Sequence, residues 1–237
     1  MVTIVNQDTV TTMRQMSDNS VSLLFADWPF LGYEKNVSFI NTLVRPALPE
    51  AHRILESGAN IVSVHYPDIN MYIAAELIKT GFTICDVIAI QKTNKMKCKN
   101  RLGSSYMTLL VACKGDIAYR YIDKSTKDIY KYMYFNKNKF GIIENLWTER
   151  MFQSGFRQKD LGKVSEAFPK WIIEKILDIF NPENKPVYDM FGGSGNVVLA
   201  CVNRNIKVTS SELLSNRFEL IRRRLNGWKE TRSSKKA

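Results

Sequence analysis

Little in this chain is suited to holding a metal. Its 237 residues include four cysteines and two histidines. Cys85, Cys98, Cys113 and Cys201 show no C-x-x-C spacing, and His52 and His65 stand apart from them. A zinc set needs closely spaced thiolates and imidazoles, so no metal is assigned. The cysteines read instead as reduced, structural thiols, which suits a cytoplasmic protein. Apolar runs are short: none approaches the roughly twenty residues that a bilayer span requires. No basic-then-apolar leader opens the chain, so no membrane association is expected. Acid is scarce too. Against 34 Lys and Arg stand 23 Asp and Glu, leaving a net charge of +11 and a pI near 9.5. An excess of that size points to a polyanionic partner, nucleic acid first and an acidic membrane surface second.

What is present is ordinary for a globular protein. Hydrophobic residues make up 45% of the chain and charged ones 24%, enough to bury one domain's core with a small insertion. The organising stretch is VYDMFGGSGNV, Val187 to Val197. An apolar lead-in reaches Asp189, then Phe191 and a glycine turn holding Gly193 and Gly195, after which Val197 to Ala200 resumes an apolar pattern. That order reads as strand, turn, helix. Glycines there accept positive φ and let the backbone approach a ligand closely. A β-branched run, Ile206 to Ser210, follows as the next parallel strand and ends at Glu212. A carboxylate about twenty residues beyond such a turn is placed to accept hydrogen bonds from ribose hydroxyls. The third glycine of a dinucleotide fingerprint is missing, which disfavours NAD. The arrangement resembles the cofactor motif of S-adenosylmethionine-dependent methyltransferases.

A second motif lies near the start. Thr3-Ile4-Val5 is a short strand candidate leading to Asp8, and Thr9 to Met16 suits a short helix. Val21 to Ala26 is a nearly continuous apolar run, the signature of a strand covered on both faces. It stops at Asp27-Trp28-Pro29-Phe30. In an open parallel sheet ligands lie beyond the C-terminal strand ends, which puts Asp27 where chemistry happens. From Val5 to Phe30 the chain resembles the opening of DNA methyltransferases that modify exocyclic amino groups, whose motif is Asp/Asn/Ser-Pro-Pro-Tyr/Phe/Trp. With this motif first and the cofactor motif near the C-terminus, the order is that of the family's β group.

The resemblance implies a Rossmann-like α/β fold, doubly wound around a mostly parallel sheet and circularly permuted in motif order. It also implies S-adenosylmethionine as cofactor and double-stranded DNA as partner. Asp27 and the Trp28 carbonyl would each take one N–H of the amino group, with Pro29 shaping the turn and Phe30 stacking on a flipped base. Asp8 would contact the cofactor's adenine and Glu212 its ribose. Asp189, Phe191, Gly193 and Gly195 would shape the pocket, and Phe168 and Pro169 would line its cleft. Trp28 departs from the family's proline, losing the ring that fixes φ there and placing a bulky indole beside the base. Adenine N6 is favoured over cytosine N4 because the family's cytosine members more often begin the tetrapeptide with Ser. An RNA or protein-amide methyltransferase, and a nucleic-acid-binding protein on an inactive scaffold, stay open as alternatives.

Between the motifs, Phe39 to Leu55 has helical spacing interrupted by Pro46 and Pro49, Ala59 to His65 reads as strand, Met71 to Lys79 as helix, and Thr83 to Gln91 and Tyr106 to Lys114 as strands. His65 reads as structural. Lys92, Lys95, Lys97, Lys99 and Arg101 form an acid-free basic run, read as a loop contacting phosphates. From 116 to 162 aromatics alternate with basic residues, among them Arg120 and Lys131, where the family keeps its target-recognition region; otherwise the stretch is a surface hairpin with amphipathic tyrosines. It is short for a recognition region, which suggests either a short target or help from a second subunit in a homodimer. A cognate restriction nuclease would lie on another chain. Ser165 to Phe180 reads as a helix capped by Ser165, and Leu213 to Leu225 as an arginine-rich helix followed by a disordered tail.

Overall fold

The computed structural model describes residues 1–29, 36–91, 106–116, 133–135, 141–143, 145–147, 168–181 and 183–233. Continuous β-branched and aliphatic runs form the strands. Val2–Val5 (β1) and Val21–Asp27 (β2) flank helix Thr9–Arg14 (α1), which Asp8 caps by accepting the Thr11 N–H. Asn36–Phe39 (α2), a π-helical turn at Ile40–Val44 and Arg45–Ile54 (α3) follow. Pro46 falls at the start of α3, which continues directly from the π turn. Pro49 lies inside the helix, directly after the wider π turn that absorbs the irregularity.

The next strand, Leu55–His65 (β3), begins four residues earlier than the hydrophobic pattern alone suggests, because the register shift between Val21 and Leu23 lets the polar Glu56-Ser57-Gly58 join it. Asn70–Lys79 (α4), Phe82–Gln91 (β4) and Tyr106–Lys114 (β5) complete the first half. Met133–Phe135 (β6) and Gly141–Ile143 (β7) pair as a separate antiparallel ribbon. Leu146–Trp147 (β8) joins the edge of the main sheet beside β4, so these two residues of the 116–162 stretch are part of the main fold, with Trp147 buried. Lys170–Phe180 (α5) is preceded by Pro169 at its cap position, and Ser165 lies outside the described residues. Val187–Asp189 (β9), Asn196–Asn203 (α6), Val208–Ser211 (β10) and Ser215–Ser233 (α7) finish the chain. Helix α7 runs through Arg232 and Ser233, beyond the point where a disordered tail was expected.

The sheet order is β1-β10-β9-β2-β3-β5-β4-β8. All described neighbours are parallel except β5, which runs against β3 and β4. Alternation splits the core in two. Leu23, Phe25, Val62 and Val64 pack against α5, α6 and α7 on one face. Leu24, Ala26 and Ile61 pack against α1, α3 and α4 on the other. The chain leaves β9 toward β10 through α6 and leaves β2 toward β3 through α3, in opposite directions and on opposite faces. A crevice therefore opens beyond the C-terminal ends of β9 and β2, the place where such sheets bind ligands.

Candidate active site

A cavity of about 390 Å³ occupies that crevice. Four adjacent strand ends supply its wall in sheet order. Gln7, Asp8 and Thr9 follow β1, Glu212 to Leu214 follow β10, Asp189 to Ser194 extend β9, and Asp27 to Pro29 extend β2. Backbone hydrogen bonds stitch these ends together: Glu212 N–H to the Val5 carbonyl (3.0 Å), Gly192 N–H to that of Ser211 (2.8 Å) and Met190 N–H to that of Phe25 (2.9 Å). Motifs separated by about 160 residues of chain thus meet across adjacent strands.

The glycine turn is held from behind. Gly193 and Gly195 have φ of +52° and +81°, conformations that cost an L-residue roughly 1–2 kcal/mol. Gly192 is needed for a different reason, since a Cβ there would lie 2.7 Å from Ile221 Cδ1 and 2.8 Å from Ser210 Oγ. Arg224 of α7 donates to the Ser194 carbonyl and, at 2.9 Å, to Asn196 Oδ1, while Asn196 Nδ2 donates to the Phe168 carbonyl at 2.8 Å. That chain ties Phe168 to the turn. Phe168 itself meets Phe25 edge-on, ring centroids 5.7 Å apart, and lines the cavity.

The acids differ in their partners and surroundings. Glu212 accepts the Gly193 N–H on Oε2 and the Leu214 N–H on Oε1, both at 2.8 Å, which leaves further lone pairs facing the cavity it lines. Asp8 spends Oδ1 on capping α1. Asp189 is fully enclosed; burial first, and the Glu212 charge last, push its carboxyl up to about 7 against the Ser210 hydroxyl and Phe191 amide, which favour the ionised form. Asp27 sits half-buried at the last position of β2.

The Trp28 indole is packed inward, with little surface left toward the cavity it lines. It turns into the α1, α3 and α4 face, 1% exposed, with its Nε1–H donating to Ser63 Oγ at 2.7 Å. Its ring lies 5.3 Å from that of Phe191 and 5.8 Å from that of Phe39.

A profile of the DNA methylase family that groups N6 and N4 enzymes matches residues 21–223. The chain belongs to that family. Its fold is similar to those of solved family structures. The M1.HpyAVI–SAM complex is 21% identical, with a TM-score of 0.67 over 95% of this chain and 100% of that one. The cytosine-N4-specific PvuII DNA methyltransferase is 15% identical, with a TM-score of 0.72 over 93% and 84%. A Thermus thermophilus protein complexed with S-adenosyl-L-methionine is 16% identical, with a TM-score of 0.68 over 94% and 93%. No curated relative matches the chain.

For this DNA methylase family member, the cavity collects Asp27, Trp28, Pro29, Asp8, Phe168, Asp189, Phe191, Gly193 and Glu212 from the residues singled out by sequence. Two others stand behind the wall: Pro169 sets the start of α5, and Gly195 turns the chain into α6. Phe30, Lys92, Lys95, Lys97, Lys99, Arg101, Arg120 and Lys131 lie outside the described residues. Sequence reasoning passed over Gly192, Asn196, Arg224, Leu43 and the exposed pair Leu213 and Leu214. Only Gly192 carried a signal, as the first glycine of the turn; the rest become visible through contacts across the chain.

Proposed function

We propose that the protein transfers a methyl group from S-adenosylmethionine to the exocyclic amino group of a flipped-out base in double-stranded DNA, adenine N6 ahead of cytosine N4. The observation that carries this reading is the convergence of the Asp27-Trp28-Pro29 strand end and the Phe191–Ser194 glycine turn on one cavity. The residues present suit the cofactor. Gly193, at positive φ, presents bare backbone to the cavity, Glu212 has acceptor capacity for ribose hydroxyls, and Asp8 retains Oδ2 for the adenine amine. Leu213 and Leu214, exposed at the rim, offer an apolar face for the purine.

When bound, S-adenosylmethionine supplies an electrophilic methyl on sulfonium. The protein's part is orientation. An aromatic amine is a poor nucleophile because its lone pair is delocalised into the ring. The Asp27 carboxylate and the Trp28 carbonyl each accept one N–H, drawing the nitrogen toward a tetrahedral shape and aiming its lone pair at the methyl. An amino nitrogen that gains a methyl must lose a proton, and Asp27 would be placed to hold it. Base flipping is required because the duplex hides that nitrogen. The indole is 1% exposed, so little of it protrudes into the cavity it lines, which favours an active enzyme over an inactive scaffold. A homodimer and a separate cognate nuclease belong to the same reading.

The test uses tritiated S-adenosylmethionine and unmethylated duplex DNA. Wild type is expected to label DNA, and Asp27→Ala to lose at least about a hundredfold in rate while binding cofactor by calorimetry as wild type does. Label transferred equally by both proteins would remove Asp27 from the chemistry.

A further inference from the structure

Trp28 stands where the family has proline, and its surroundings show what replaces the lost ring. Register pairing sets Ala26 opposite Ser63 and Asp27 opposite Val64. Ser63 and His65, two apart on β3, face the same side as the indole, in the midst of an otherwise apolar layer. Both are 0% exposed. Trp28 Nε1 donates to Ser63 Oγ at 2.7 Å, Ser63 Oγ lies 3.1 Å from His65 Nδ1, and His65 Nε2 lies 2.9 Å from Asn70 Oδ1.

With the Asn70 amide oxygen turned toward the ring, the proton inventory has one consistent solution. Asn70 Oδ1 can only accept, so His65 carries its proton on Nε2 and presents a lone pair at Nδ1. Ser63 then donates its hydroxyl proton to Nδ1 and keeps a lone pair for the indole N–H. Burial holds the imidazole neutral, with its pKa lowered to about 4. Each buried polar atom of the chain is thereby used, in a layer where an unmet one would cost about 1–3 kcal/mol.

We infer that the Ser63–His65–Asn70 chain is a positioning device: by fixing the Trp28 indole it sets the backbone of Asp27 to Pro29 in place of the family's proline ring, and through the indole's contact with Phe191 it sets the distance between the amino-group end and the cofactor end of the cavity. This rests on the methyl-transfer reading above. A proline ring fixes its own φ and biases the residue before it, but it references no second element. An anchored indole constrains the peptide and also touches the aromatic of the glycine turn, so one side chain references both halves of the site. Methyl transfer is sensitive to that reference, because misplacing reacting groups by about 1 Å can cost on the order of a hundredfold in rate.

The experiment measures kcat and KM for DNA, cofactor affinity by calorimetry, thermal midpoint and tryptophan emission for Ser63→Ala, Ser63→Thr, Trp28→Phe and the Ser63→Ala/Trp28→Phe double variant. Ser63→Ala and Trp28→Phe are each expected to lower kcat on the order of ten- to a hundredfold, with cofactor affinity within about twofold of wild type. Ser63→Thr, which keeps the hydroxyl, should restore kcat. The double variant should be no worse than the poorer single one, since the two changes remove the same bond. Emission of Ser63→Ala should shift relative to wild type as the indole loses its acceptor. Trp28→Phe alone suffices if Ser63→Ala does not fold. An active wild type whose variants keep kcat while losing only thermal midpoint would overturn the positioning role by itself. A wild type that transfers no methyl would overturn the functional reading, and the positioning role with it.

Discussion

Asp189 and His65 are both enclosed beside the site, yet they pull stability in opposite directions with pH. Burial raises the Asp189 carboxyl from 3.8 to about 7, so the folded protein holds that proton more tightly than the unfolded chain does. Its contribution is full below about pH 4 and declines as pH rises toward 7. His65 is lowered from 6.5 to about 4, so its contribution is full above 6.5 and declines as pH falls toward 4. Asp189→Asn keeps an acceptor for Ser210 and removes the first effect. Urea unfolding across pH 4 to 7 should show this variant gaining on wild type as pH rises, by a few kcal/mol at most. Parallel curves would mean that Asp189 ionises in the fold as it does in the unfolded chain. Backbone conformation gives a second residue-scale expectation. Gly195→Ala must hold an L-residue at φ +81° with its Cβ 3.2 Å from Ile221, so it should lose about 1–3 kcal/mol in the same assay.

At the scale of elements, α7 supports the glycine turn from outside. Arg224 reaches the Ser194 carbonyl and Asn196, and Ile221 fills the space that Gly192 and Gly195 leave. Arg224→Met keeps the aliphatic stem and loses the donors. Calorimetry should find cofactor affinity weakened about tenfold, the equivalent of one hydrogen bond to a charged group; unchanged affinity would mean that the turn holds its shape unaided. This contact also shows where sequence legibility stopped. Strands such as Val21–Asp27 and Tyr106–Lys114 were readable because both faces are buried and their apolar runs are continuous. The glycine turn and Glu212 were readable because backbone geometry demands particular residue types at fixed spacing. Arg224 looked like one more basic residue on an arginine-rich helix, since its partners lie 28 and 30 residues away. The inward packing of Trp28 was not legible, because sequence does not say which way a side chain turns. Of the two β3 residues in its hydrogen-bond chain, His65 read as structural and Ser63 carried no signal.

For the whole molecule, the net charge of +11 gives an expectation independent of the site. If the basic excess serves a phosphate backbone, the logarithm of DNA affinity should fall linearly with the logarithm of salt concentration, with a slope counting the phosphates neutralised. Affinity indifferent to salt would assign the charge to solubility alone. The sheet order brings the two motifs to one crevice, and the cavity there is walled in turn by Asp8, Glu212, the Phe191–Ser194 turn and Asp27. Whether that wall does the chemistry is decided by the product. DNA incubated with the protein and S-adenosylmethionine should be digested to nucleosides and separated. N6-methyladenine, present with wild type and lost with Asp27→Ala, is the expected result. N4-methylcytosine would keep the exocyclic-amino mechanism and overturn the choice of base. Neither product, from a protein that binds both cofactor and DNA, would contradict the claim that Asp27 and the Trp28 carbonyl form a methyl-transfer site.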